Sequence, residues 1–124
     1  IARSNESKAL GIKMGEPVFK IREIIEKNNV HVFSTNFALY GDMSSRVMSL
    51  LSLMSPGTEI YSIDEAFMDF KGISDAEKLA VYMRSTVNKS TGIPISIGIA
   101  PTKTLSKVAN HIAKRNSNTG VCLL

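Results

Sequence analysis

Cysteine, histidine and long apolar runs are all scarce in this sequence, and each scarcity closes a class of function. Its single cysteine, Cys122, cannot form an internal disulfide, so the fold does not depend on oxidation and the cytosol is the expected compartment. Neither of the two histidines, His31 and His111, has a Cys or His partner at a ligand spacing, which argues against a zinc site. No apolar run approaches the roughly 18 residues that span a bilayer, and no basic-then-apolar leader opens the chain. A soluble protein without a membrane partner is expected. Repeats and low-complexity tracts are missing too, which leaves periodicity and punctuation to report the organisation.

What is present fits one globular unit. A length of 124 residues can bury a real core, and the 44% hydrophobic and 21% charged fractions are close to the soluble average. The net charge of +4 permits an anionic partner without demanding one. A chain that starts at Ile1 rather than Met is expected to be a piece of a longer protein.

The pattern predicts a short helix over Ser4 to Leu10 closed by Gly11, and a second helix opened by Gly15-Glu16-Pro17 with Val18, Ile21 and Ile25 on one face. Val30 to Ser34 reads as a short strand. From Ala38 to Met54, apolar residues recur at steps of three and four, the mark of an amphipathic helix. Thr58 to Ser62 and Ala66 to Phe70 predict a hairpin, and Ser74-Asp75-Ala76-Glu77 predicts a capping box for the next helix. Ile95, Ile97 and Ile99 alternate in a strand, Pro101-Thr102 opens another helix, and Gly120 to Leu124 forms the last strand. Helices between strands point to an α+β fold with a ferredoxin-like sheet covered by helices. A small helical lobe, residues 1–29, stands beside it.

Two features can carry chemistry. In Tyr61-Ser62-Ile63-Asp64-Glu65-Ala66-Phe67, adjacent carboxylates sit between two apolar strand segments. At a bend, Asp64 and Glu65 can converge, and their mutual repulsion is relieved by a cation such as Mg²⁺, which takes a couple of carboxylates plus water and phosphate. The plainer reading is a solvated acidic turn. In Pro101 to Arg115, Lys103, Lys107, Asn110, His111 and Lys114 share about one third of a helical circumference, with Leu105, Val108, Ala109 and Ile112 opposite. No acidic residue follows Pro101. This stripe suits a phosphate backbone or a triphosphate, or it is an ordinary solvated face. A phosphate loop is unsupported, because no glycine-rich run precedes Lys103-Thr104. Ser62 has no nearby histidine for a hydrolase triad. The six methionines read as core filler.

Together these residues resemble the Y-family translesion DNA polymerases, in their UmuC branch. The resemblance covers essentially the whole chain and rests on Ala9-Leu10-Gly11-Ile12-Lys13-Met14-Gly15, Tyr40-Gly41-Asp42-Met43-Ser44-Ser45-Arg46, Tyr61 to Phe67, and Gly98-Ile99-Ala100-Pro101-Thr102-Lys103-Thr104 with Lys107-Val108-Ala109-Asn110. It implies a partial fingers subdomain over 1–29 and a partial palm over 30–124. Asp64 and Glu65 are then catalytic metal ligands for two Mg²⁺ ions, with Mn²⁺ as a substitute. Lys114 and Lys8 would contact the incoming deoxynucleoside triphosphate, while Ser62, Lys103 and Lys107 would meet primer-template DNA. Lysine at position 8 replaces an arginine common in the family, and it keeps the charge but not the bidentate fork. Asn5 replaces a common tyrosine and receives no role.

Further implications are SOS mutagenesis in a bacterial cytoplasm, a processed UmuD-type accessory dimer, a recombinase filament and a sliding clamp. The family's first palm strand, thumb and additional DNA-gripping domain are not among these 124 residues, so the chain alone is expected to be inactive. The competing expectation is a non-catalytic nucleic-acid-binding or protein-interaction module of the same fold. Sheet-based binders of single strands stack bases on paired aromatics, and no such pair is evident in a sequence that is 6% aromatic.

Overall fold

A computed structural model describes residues 2–116 and 118–124. The chain divides into two compact units, Ile1–Thr35 and Asn36–Leu124.

The first unit is helical. Helix α1 spans Asn5–Ala9, and the Ser4 hydroxyl caps it by accepting from the Ser7 amide at 3.2 Å. Hydrogen bonds from its own backbone and from Ser4 hold the Glu6 carboxyl below the usual carboxylate range. Beyond Pro17 the chain forms a 3₁₀ turn, Val18–Ile21, which runs into α2, Arg22–Lys27. Ile12 and Ile21 are buried here. The strand expected over Val30 to Ser34 does not form. Val32 and Phe33 are exposed, and no ladder partner reaches this segment among the described residues.

The second unit is a layered α+β body. Helix α3, Phe37–Met54, is capped by Asn36, whose side chain accepts from the Leu39 amide at 3.1 Å. Strands β1, Thr58–Ile60, and β2, Ala66–Met68, form the expected antiparallel hairpin with Glu59 opposite Phe67. Helix α4 spans Ala76–Thr91. Its cap is Asp75 rather than Ser74: the Asp75 carboxylate accepts from the Lys78 amide at 3.0 Å, and with Lys78 at the third helical position a single side-chain cap replaces the expected capping box. Gly92, at φ 74°, closes the helix in the left-handed conformation that glycine tolerates. Strand β3, Ile97–Ile99, helix α5, Lys103–Asn116, and strand β4, Val121–Leu123, make a βαβ unit with β3 parallel to β4.

The α+β class therefore holds, but the pairing is finer than one continuous sheet. β1–β2 and β3–β4 are separate two-stranded ladders. Both rest on one apolar layer: Val47, Met48 and Leu51 of α3 and Met83 and Val87 of α4 form the core, with Ala66, Met68, Ile95 and Ile97 packed on it. Gly98 alternates to the other face, where α5 lies so close that any Cβ at this position would collide with the backbone of Ser106, Ala109 and Asn110. Buried Ala109 and Ala113 allow that approach. Met48 and Met83 are core residues, as expected, whereas Met14 is exposed. No helix among the described residues is long and apolar enough to cross a membrane.

Candidate metal and phosphate site

The acidic bend is fixed from two sides. Ser44 on α3 donates its hydroxyl to the Ile63 carbonyl at 2.5 Å, anchoring the tip of the hairpin. The Tyr61 and Ser62 amides both donate to the Glu65 carbonyl at 3.0 Å, which closes the turn. Within it, the Ser62 hydroxyl donates to Asp64 Oδ1 at 2.8 Å. Ser62 thus orients one of the two carboxylates. Asp64 is exposed and Glu65 is half-buried, and both border a cleft of about 880 Å³ between β2 and β3 whose walls include Val47, Met48 and Leu51.

Helix α5 faces the hairpin through its lysines. Lys103 Nζ lies 2.5 Å from Glu59 Oε2 and 5.2 Å from the Phe67 ring centre. Lys107 Nζ lies 3.2 Å from Glu65 Oε2 and 4.7 Å from the Tyr61 ring centre. Tyr61 and Phe67 meet edge to face at 5.3 Å. The aromatic pair that the sequence did not reveal therefore exists, because the hairpin register joins residues six positions apart. Glu59, Tyr61, Phe67, Lys103, Lys107 and His111 line a groove of about 550 Å³.

The basic stripe is less uniform than its helical wheel implies. Lys103, Lys107, His111 and Lys114 are exposed, but Asn110 is half-buried and its side chain accepts from the Ser96 hydroxyl at 2.7 Å. Leu105 and Val108, expected on the buried face, are exposed instead. The close contact at Gly98 turns the small residues Ala109 and Ala113 inward, and that rotation displaces them. No carboxylate pairs with Lys114 among the described residues, and it sits about two helical turns beyond Lys107. Lys8 is exposed on α1, in the first unit.

The structure thus gathers Ser62, Asp64, Glu65 and Lys107 at the tip of the hairpin, with Lys103 one rung away and Lys114 further along α5. Their donor chemistry fits a hard cation. Asp64 and Glu65 offer carboxylate oxygens, yet among the described residues no group of three or more His, Cys, Asp or Glu is placed to hold a metal. Two carboxylates completed by water and phosphate suit Mg²⁺, which does not require a cage built wholly from protein.

Residues 1–111 match the impB/mucB/samB family. The chain is 50% identical to the protein UmuC and 48% identical to the protein ImpB, both of Salmonella typhimurium, in each case over 118 residues that cover 93% of this chain and 28% of the relative. An insertion ternary complex of Dbh DNA polymerase superposes with a TM-score of 0.80 at 26% identity, covering 98% of this chain and 35% of that one. The chain spans a little over a quarter of the length of these curated relatives. By its sequence match and its fold, it belongs to the impB/mucB/samB family.

Proposed function

We propose that this chain is the fingers-palm portion of an error-prone translesion DNA polymerase, in which Asp64 and Glu65 are the palm carboxylates for nucleotidyl transfer. The observation that carries the proposal is the anchored hairpin tip, which presents both carboxylates to one cleft beside a helix with a lysine-rich face. Asp64 and Glu65 would hold two Mg²⁺ ions, or Mn²⁺, together with water and substrate phosphate. Divalent cations bound there would supply acidification of the primer 3′-hydroxyl and neutralisation of charge on the leaving pyrophosphate.

The remaining assignments follow the charge. Ser62 keeps Asp64 oriented and lies at the DNA surface, and Lys103 and Lys107 meet phosphates of the primer-template. Lys114 holds the triphosphate of the incoming deoxynucleotide, with Lys8 as a second contact from the fingers. Residues 1–29 act as partial fingers and 30–124 as partial palm. A processed UmuD-type dimer, a recombinase filament, a sliding clamp and the bacterial SOS response belong to the same reading.

The test uses a polymerase of full family length in which this chain replaces the matching segment. Primer extension is expected, and Asp64→Ala or Glu65→Ala should abolish it while leaving the circular dichroism spectrum unchanged. Near-normal extension by either variant would remove these residues from the mechanism.

A further inference from the structure

The hairpin face beneath α5 has a repeating design. Tyr61, just past the end of β1, keeps its ring against that of Phe67, the partner of Glu59 across the ladder. Across the ladder, Glu59 stands opposite Phe67, and Tyr61 bonds through its backbone to Glu65. Each of two successive rungs therefore offers one carboxylate and one aromatic ring. On α5, Lys103 and Lys107 are one turn apart, and each takes one rung: its ammonium sits on the carboxylate and over the ring. The rungs differ in one respect. Glu65 is a metal ligand in the function proposed above, on which this inference rests, and Glu59 is not.

We infer that Lys107 is the resident counter-cation of Glu65, and that a divalent ion must compete with it for this carboxylate. An ammonium 3.2 Å from a ligand oxygen repels any second cation drawn to the same group. The pair can yield. The two side chains are 45% and 36% exposed, so solvent screens their attraction and little is lost when the ammonium turns away. Lys107 released in this way is a positioning residue whose charge becomes available to a phosphate beside the bend. Linkage makes the effect reciprocal: a phosphate that draws Lys107 off Glu65 tightens metal binding by the same factor that the metal tightens the phosphate contact. The Lys103–Glu59 rung is the built-in reference, with the same three groups and no proposed metal ligand among them.

The experiment titrates Mn²⁺ into this chain and follows free Mn²⁺ by electron paramagnetic resonance. Lys107→Met should raise Mn²⁺ affinity about two- to fivefold, the modest range set by a half-exposed ion pair. Lys103→Met should give less than half of that increase. In parallel, Mg²⁺ added to the unaltered chain should shift the Lys107 side-chain ammonium resonance and leave that of Lys103 in place, a readout that needs no substitution. If Mn²⁺ binds at the bend, equal affinity in the unaltered and Lys107→Met chains with an unmoved Lys107 resonance overturns the competition and leaves the metal reading standing. An equal gain from both lysine variants reduces the effect to net charge and also overturns it. Absence of Mn²⁺ binding at the bend in every variant overturns both this inference and the metal reading.

Discussion

The two ladders of the second unit are built on opposite plans. β3–β4 is a parallel pair clamped by α5, with Gly98 against the helix backbone and Ala109, Ala113 and Val121 buried. β1–β2 is an antiparallel hairpin whose outer face meets α5 through long side chains: two lysines, two carboxylates and two rings. The first arrangement tolerates no added atom, whereas the second can exchange partners without repacking. Close packing and exposed charged contacts are therefore placed on different ladders, and α5 belongs to both. A helix held to within a methyl group by β3 presents its lysines to the hairpin at a fixed height.

Breaking the rigid ladder should have the largest effect. Gly98→Val forces α5 off β3, and because backbone rather than a flexible side chain blocks the new atoms, a loss of about 3 kcal/mol or more is expected in urea unfolding. Met83→Ala tests the layer that both ladders share. Met83 is fully buried in the core cluster, and its truncation should cost about 2–5 kcal/mol. A Gly98→Val loss smaller than that of a surface substitution would contradict the asymmetry between the ladders.

Changes on the chemical side should leave stability almost untouched. In the full-length polymerase used above, Lys114→Ala should lower kcat/KM for a single nucleotide ten- to hundredfold, the equivalent of a charge-assisted contact of about 1.5–3 kcal/mol, with little change in DNA affinity. Lys107→Ala should act the other way, weakening DNA binding and reducing its salt dependence by about one phosphate contact. Equal small effects from both would return α5 to a solvated face. The smallest effect belongs to Lys103→Ala. Its pair with Glu59 is 60% and 57% exposed, so only about 0.2–1 kcal/mol of stability should be lost, and less at high salt.

The same contrast explains what could be read from the sequence. Elements set by local pattern were legible: α3 from its apolar steps, the hairpin from two extended runs flanking Ile63-Asp64-Glu65, α5 from its charge and its proline start. Local pattern also misled where tertiary pairing decides. Val30 to Ser34 has a strand's composition but joins no ladder among the described residues. Ser74 and Asp75 are both good caps, and only the helix start at Ala76 selects the second. At the site, the carboxylates and lysines could be named, but their pairing could not. Lys107 and Glu65 are 42 residues apart, and Lys103 and Glu59 are 44. Which lysine meets which acid depends on the hairpin register and on the rotation of α5, and Gly98 sets that rotation by contact across the fold. The anchoring role of Ser44 was hidden for the same reason: its hydroxyl holds Ile63 from 19 residues away.

The most direct test of the account is where a divalent cation binds on this chain. Substoichiometric Mn²⁺ should broaden the amide resonances of residues 62–67 first in a ¹⁵N–¹H spectrum. Asp64→Asn together with Glu65→Gln should abolish that broadening while the β3–β4 resonances stay unchanged. Broadening centred elsewhere, or surviving the loss of both carboxylates, would contradict the assignment of the metal chemistry to the hairpin.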